Sequence, residues 1–592
     1  MGPVRRARRF EVGGEEFLLD RRPFQVVSGA MHYWRVVPGQ WRDRIAWARH
    51  LGLNTLETYV PWNLHEPTPG AVRFADGLDL RRYLELIAEA DLYAIVRPGP
   101  YICAELDFGG LPAWLLRPPA ARIRSSDPAF TDRVAEWLAT LLERLVDLQC
   151  TRGGPILAMQ VENELGAYRS DREYLGWLVG RFRAGGVEVP LLSSDHGELT
   201  SAGTHPGLLA TMNFGAEPDR AWRALAEAQP GGPRMCMEFW NGWFDHWGEP
   251  HHRRPADEVA ATLDEMLADG ASVNLYMFCG GTNFGFTNGA NTADRSGAAY
   301  QPTITSYDYD APLSEDGRPT AKFDRYRAVL AGHLGVSEAP RPPLPAPLAD
   351  RTVALTRAIP LLDAVERLCV PVTGEAPASM EALEQNFGFV CYRFRAAGPG
   401  RRTLRVPGIR DRGQVLLDGV ERGLLDRASG VTAVELELPP GETRVDVLVE
   451  NQGRVNFGPG LCDAKGILGE ITLGGVAVTA LRMYPLPLDN LDELDWSRAA
   501  LAEDTMAGPL LVAGAFEIDR PADTHLALPG WTKGVAWVNG FNLGRYWEIG
   551  PQHTLYLPGP LLRHGGNELR VLELHRLRAP EVRLVSRPDL GE

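Results

Sequence analysis

Pro155-Ile156-Leu157-Ala158-Met159-Gln160-Val161-Glu162-Asn163-Glu164 is a short apolar run that turns abruptly into amides and carboxylates. Its length, bounded upstream by Gly153-Gly154, predicts a buried β-strand. Taking carboxylates out of water costs free energy that packing alone does not return. A strand that ends this way therefore presents them for chemistry. Arg234-Met235-Cys236-Met237-Glu238-Phe239-Trp240 repeats the pattern with one Glu followed by aromatics.

Working outward, strand-like runs stand at 26–33, 53–60, 92–97, 156–164, 190–195, 208–214, 235–240 and 273–279. Amphipathic helical patterns lie between them at 41–50, 80–90, 129–149, 171–184 and 256–269. Eight βα alternations within roughly 250–300 residues predict a (β/α)₈ TIM barrel, whose functional groups sit at the C-terminal ends of its strands. Glu164 ends the fourth run and Glu238 the seventh, so a closed ring places them across one mouth. Two facing carboxylates are the equipment for hydrolysing a glycosidic bond, and a retaining separation of about 5–5.5 Å is expected. Strand alternation puts Glu162 and Glu164 on the same face, so periodicity does not choose between them.

Pro340-Arg341-Pro342-Pro343-Leu344-Pro345-Ala346-Pro347 reads as a stiff, extended linker. Beyond it the pattern changes to short alternating strands separated by Gly, Pro, Asp and Asn turns, as in β-sandwiches. A faint repeat links residues 413–419 (GQVLLDG) to residues 534–540 (GVAWVNG). The expected organisation is a barrel at 1–336, a linker at 337–350, and two all-β, jelly-roll or galactose-binding-like sandwiches at 351–490 and 491–592.

The 592-residue chain is too long for one core. Its formal net charge of −15 argues against nucleic acid as a partner, since phosphate binding needs clustered Lys and Arg. No apolar run reaches the length of a membrane span. The basic N-terminus (Arg5, Arg6, Arg8, Arg9) is followed by polar residues 11–16 rather than an apolar export segment, so a cytoplasmic location is expected. Seven scattered cysteines without CxxC spacing predict reduced thiols. His196, His205, His246, His251 and His252 fit no metal spacing and are expected to be surface or packing residues. Gly280-Gly281-Thr282-Asn283-Phe284-Gly285 lacks the Lys and following helix of a phosphate loop. No metal or other cofactor is expected.

Several segments resemble the family 35 glycoside hydrolases, the β-galactosidase family. They include Ser28-Gly29-Ala30-Met31-His32-Tyr33, the run from Glu57 to Pro67, and Arg97-Pro98-Gly99-Pro100-Tyr101-Ile102-Cys103-Ala104-Glu105. Gly153-Gly154-Pro155 leading to Glu162-Asn163-Glu164 is the signature proper. Met237-Glu238-Phe239, Gly242-Trp243-Phe244-Asp245, the run 280–284 and Thr305-Ser306-Tyr307-Asp308-Tyr309-Asp310 complete the set.

The resemblance implies an exo-acting, retaining β-galactosidase with Glu164 as proton donor and Glu238 as nucleophile. The nearby second carboxylate is expected to raise the pKa of Glu164 by like-charge repulsion, keeping it protonated for the first step. Asn163 is implied as the partner of the sugar 2-hydroxyl, and Cys103, Ala104 and Glu105 as hydroxyl recognition. Tyr59, Tyr309 and Tyr276 are candidate hydroxyl partners, each with core packing as the alternative. Trp243 is the candidate apolar wall. Glu162 is read as a supporting residue paired with an Arg or a backbone amide.

Leu165, Leu106 and Trp34 depart from the family pattern beside these residues and leave the aglycone preference open. The implied substrate is a β-galactoside oligosaccharide. The rivals are another exo-β-glycosidase, such as a β-glucosaminidase, and a non-catalytic carbohydrate-binding protein. The sandwiches are expected to shape the barrel mouth or an oligomer interface, a homodimer being the simplest assembly; independent sugar binding through Trp537, Trp547 or Tyr556 is the alternative.

Overall fold

A computed structural model describes residues 6–293, 299–335, 337–498, 501 and 507–591; Arg5 of the basic N-terminus lies outside them. Eight parallel strands close into a barrel: β1 Val27–Ala30, β2 Thr55–Tyr59, β3 Tyr93–Arg97, β4 Ile156–Gln160, β5 Leu191–Asp195, β6 Leu209–Phe214, β7 Met235–Trp240 and β8 Ser272–Tyr276. Their bodies are buried almost throughout, as strands sealed inside and covered by helices outside must be. The covering helices include α1 Pro38–Leu51, α2 Leu80–Glu89, α3 Pro128–Leu145, α4 Arg172–Ala184, α5 Pro218–Ala228, α6 Ala256–Ala268 and α7 Ala321–Leu334.

Every predicted barrel strand is present, but β4 is shorter than the run that announced it. It stops at Gln160, and Glu162 and Glu164 lie beyond it at left-handed φ of 62° and 48°. The alternation argument that equated their faces therefore does not apply, because both occupy a turn rather than a strand.

The linker carries no helix or strand from 340 to 350, and Leu348 within it packs into the core of the last module. The division into 351–490 and 491–592 is corrected by the strand pairing. Arg351–Ala354 pairs with Glu581–Val585, and Arg357–Pro360 pairs with Leu510–Ile518. The chain thus lays down two strands of the C-terminal sandwich, makes the first sandwich, and then returns to finish the other. These pairings join segments more than 150 residues apart, beyond the reach of local pattern.

The faint repeat is architectural. Arg412–Leu417 and Lys533–Val538 each pair with a long strand on one side and a hairpin partner on the other. Both hairpins turn through two left-handed residues, Asp418-Gly419 and Asn539-Gly540, the turn whose twist matches paired strands. The register shifts between Val415 and Leu416 in one and between Ala536 and Trp537 in the other, the same step of the repeat.

An apolar layer including Leu416, Leu448, Leu511, Trp537 and Leu572 joins the two sandwiches, and Phe286 of a barrel loop enters it. Buried charge completes the docking. Arg454 of the first sandwich reaches Asp107 of the loop after β3 at 3.0 Å and Glu381 at 2.6 Å. Trp537 belongs to the apolar layer and the Tyr556 hydroxyl accepts from Gln40 of α1 at 2.7 Å, each residue being 3% exposed. No helix among the described residues is long and apolar enough to cross a membrane.

Candidate active site

The C-terminal ends of the barrel strands enclose a cavity of about 250 Å³. Its lining contains Tyr59, Cys103, Ala104, Glu105, Asn163, Glu164, Glu238, Trp243, Tyr276 and Tyr309. The structure therefore brings all ten residues singled out in the sequence to one place. His196, Trp240, Phe244, Asn291 and Phe457 complete the wall.

Glu238, near the end of β7, is held on both oxygens. Arg97 Nη2 and the Tyr59 hydroxyl each stand 2.6 Å from Oε1, and Trp240 Nε1 donates to Oε2 at 3.0 Å. Arg97 is itself buried, lying 3.8 Å over the Tyr59 ring and donating to Gln160 at 2.8 Å. A carboxylate bound on both oxygens by such short, charge-assisted donors is fixed in one direction. The same Arg97 donates to Asn163 Oδ1 at 2.8 Å, with Tyr59 and Gln160 adding contacts at 2.9 and 3.2 Å. With Oδ1 so occupied, the Asn163 amide nitrogen is the atom left to donate.

Glu164 has a thinner shell. Asn213 Nδ2 donates to its Oε1 at 2.9 Å, and His196 Nδ1 stands 3.5 Å from the same oxygen. Asn213 is the register partner of Glu238 in the β6–β7 pairing. Burial pushes the Glu164 pKa up, but His196, Asn213 and Arg97 together outweigh it and hold the carboxyl below its ordinary value. The expected net upward shift is thus reversed, because cationic and hydrogen-bond donors crowd this carboxyl.

Glu162 turns the other way. Arg124 grips it at 2.7 and 3.1 Å, Tyr174 reaches it at 3.2 Å, and its Oε2 accepts from the Asn163 backbone amide at 2.8 Å. Arg124 also donates to the Asn163 carbonyl at 2.6 Å, so the pair braces the turn that presents Glu164.

Cys103, Ala104 and Glu105 occupy three consecutive left-handed positions, φ 57°, 54° and 49°. Such backbone is costly for residues with a β-carbon and persists only where surrounding contacts over-determine it. Arg35 Nη2 donates to the Ala104 carbonyl at 2.5 Å, and Asn456 of the first sandwich reaches Cys103 Sγ at 3.5 Å. The Tyr307 hydroxyl donates to Glu105 at 2.5 Å. Burial, opposed by Tyr307 and Arg35, pushes Glu105 up to about 7. Tyr307 ends, and Tyr309 follows, a small ribbon in which Gly281–Thr282 pairs with Ser306–Tyr307. The Tyr276 and Tyr307 hydroxyls are 3.3 Å apart, and Trp243, 37% exposed, packs on Phe244 and Trp240 at the rim.

The sequence profile described as Glycosyl hydrolases family 35 matches residues 16–333. A beta-galactosidase from Felis catus is 40% identical over 99% of this chain and 94% of its own. The chain belongs to glycosyl hydrolase family 35. It is 40% identical to beta-galactosidase-1-like protein 2 of Homo sapiens, over 98% of this chain and 91% of that one. A beta-galactosidase of Xanthomonas manihotis is also 40% identical, over 93% and 91% respectively. Profiles described as the beta-galactosidase first all-beta domain and galactose-binding domain match residues 377–487 and 509–567. This chain is a glycoside hydrolase.

Three wall residues of this family 35 enzyme, His196, Asn291 and Phe457, escape the sequence reading. His196, expected at the surface or in packing, is a pocket residue; its position directly after β5 was the available signal. Phe457 comes from the first sandwich and carries no signal in barrel periodicity. Its approach is set by Asn456, whose carbonyl accepts from Tyr101 at 2.6 Å, and by Arg454. His251 and His252 instead pair with Asp245 at 2.7 and 2.8 Å, and His246 with Glu249 at 2.8 Å.

Proposed function

We propose that this enzyme is an exo-acting, retaining β-galactosidase that removes terminal β-linked galactose from short oligosaccharides. The observation that carries the reading is one small pocket walled by two unequal carboxyls, Glu238 clamped by three donors and Glu164 less tightly held. A cavity of about 250 Å³, below the roughly 300–1,000 Å³ of drug-sized sites, suits a single sugar ring rather than a chain passing through. Galactose as the glycone is supported by the relatives, which carry the name beta-galactosidase.

In the first step Glu164 gives its proton to the glycosidic oxygen while Glu238 attacks the anomeric carbon, forming a glycosyl ester and releasing the aglycone. Ester formation removes the Glu238 charge. In the second step ionised Glu164 takes a proton from water, the oxygen attacks the anomeric carbon, and Glu238 leaves as carboxylate. Arg97 and Tyr59 stabilise that leaving carboxylate. The surroundings of Glu164 favour its ionised form, the form that acts as base in the second step.

Release of p-nitrophenol from its β-D-galactoside, measured beside the β-glucosaminide and beside Glu238→Gln, tests the reading. Galactoside turnover that vanishes in the variant is expected. Turnover of the glucosaminide alone keeps the mechanism and replaces the glycone. Binding without turnover of either points to a carbohydrate-binding protein.

A further inference from the structure

His196 follows β5 directly and lines the pocket beside Glu164 with its side chain 35% exposed. Its Nδ1 is buried and lacks a hydrogen-bond partner of ordinary quality, standing 3.5 Å from Glu164 Oε1 where a charge-assisted bond spans about 2.7–2.9 Å. The ring also packs 6.2 Å from Trp240, whose indole holds Glu238. Among the described residues, His196 is thus the one titratable pocket side chain placed against Glu164 that can be a cation at one pH and neutral at another.

We propose that His196 is a positioning residue for Glu164, an imidazolium that draws the acid–base carboxyl towards itself and sets the pH range over which that carboxyl can deliver its proton. This rests on the assignment of Glu164 as acid–base. The groups facing the pair are Asp195 on β5, Glu238 on β7, Arg97 on β3, Glu105 after β3, and Arg124 behind the Glu164 turn; Asn213 and Trp240 are the uncharged neighbours. Asp195 and Glu238, with Glu164, favour the charged form of His196. Its pKa is accordingly raised, with the contact to Glu164 as the largest cause and burial opposing it.

The consequence has a definite sign. While His196 is charged, Glu164 gives up its proton more readily, and the alkaline limb of kcat/KM, which tracks loss of that proton, lies at lower pH. Removing the charge leaves Glu164 protonated to higher pH. Beyond the deprotonation of His196 the wild-type enzyme loses the same attraction, so its limb is shallower than a single ionisation.

The test compares pH profiles of kcat/KM on a β-D-galactoside with a poor leaving group for wild type, His196→Asn and His196→Lys. The account expects the alkaline limb of His196→Asn to move upward, so that severalfold more relative activity survives above the wild-type limb. His196→Lys, a cation throughout, keeps the limb low and broadens no activity upward. Identical limbs in wild type and both variants overturn the proposal, whatever the loss in kcat. Dinitrophenyl galactoside, which needs little proton assistance, separates the two readings. If Glu164→Ala loses that substrate as severely as the poor one, the assignment of Glu164 fails rather than the role of His196.

Discussion

Two carboxyls in one pocket, a few residues from their strand ends, are held very differently. Glu238 is bound on both oxygens by a cation, a phenol and an indole at 2.6–3.0 Å. Glu164 has one amide at 2.9 Å and an imidazole at 3.5 Å. The difference matches the roles proposed for the two groups. A nucleophile needs one charge state and one direction, which short charge-assisted bonds impose. An acid–base must change protonation twice in each cycle, and a rigid clamp on its ionised form would stall it.

Removing the clamped group is the most severe way to break that comparison. Glu238→Gln should lose on the order of 10⁴–10⁶-fold in kcat on every β-galactoside, read by steady-state assay. Glu164→Ala should instead show a loss that depends on the leaving group. It is expected at about 10²–10⁴-fold for an alkyl galactoside and far less for dinitrophenyl galactoside, with added azide restoring turnover as a galactosyl azide. Equal losses for both substrates would erase the distinction between the two carboxyls.

Trimming the shells sharpens it further. Tyr59→Phe removes a donor to a charged, buried oxygen, worth about 1.5–3 kcal/mol, and should lower kcat by roughly 10–100-fold. Asn213→Ala removes the shortest donor of Glu164 and should cost no more than about tenfold in kcat, because the first step needs the protonated form that this donor opposes. Its alkaline limb should move upward, as with His196→Asn. A larger kcat loss in Asn213→Ala than in Tyr59→Phe contradicts the account.

A third buried carboxyl, remote from both shells, sets the baseline. Glu315 accepts from the Ser306 hydroxyl at 2.6 Å and from Thr282, and burial pushes it up to about 8. A folded value above the unfolded one means the folded chain holds that proton more tightly. The stability so contributed is complete below the unfolded value and is lost as pH rises through about 8. Glu315→Gln should flatten that fall in thermal unfolding between pH 5 and about 9 and barely alter kcat.

Much of this was legible beforehand, and the exceptions have physical causes. Buried parallel strands announce themselves as apolar runs, so the barrel and the strand-end carboxyls could be read from 156–164 and 235–240. The distinct roles of Glu162 and Glu164 could not, because left-handed turns at both positions replace the strand that alternation assumes. Phe457 and the pairing of Arg351–Ala354 with Glu581–Val585 depend on contacts between distant segments, which local periodicity does not encode. The downward shift of Glu164 was missed with His196, since a lone histidine after a strand reads equally as packing.

The central claim is that the clamped carboxyl is the nucleophile of a retaining reaction. Incubation with 2,4-dinitrophenyl 2-deoxy-2-fluoro-β-D-galactoside, then peptide mass spectrometry, tests it most directly. The account predicts one fluorogalactosyl adduct, on the peptide carrying Glu238, formed as activity is lost. Label on Glu164, Glu162 or Glu105 instead, or steady turnover of the galactoside with no adduct at all, would contradict it.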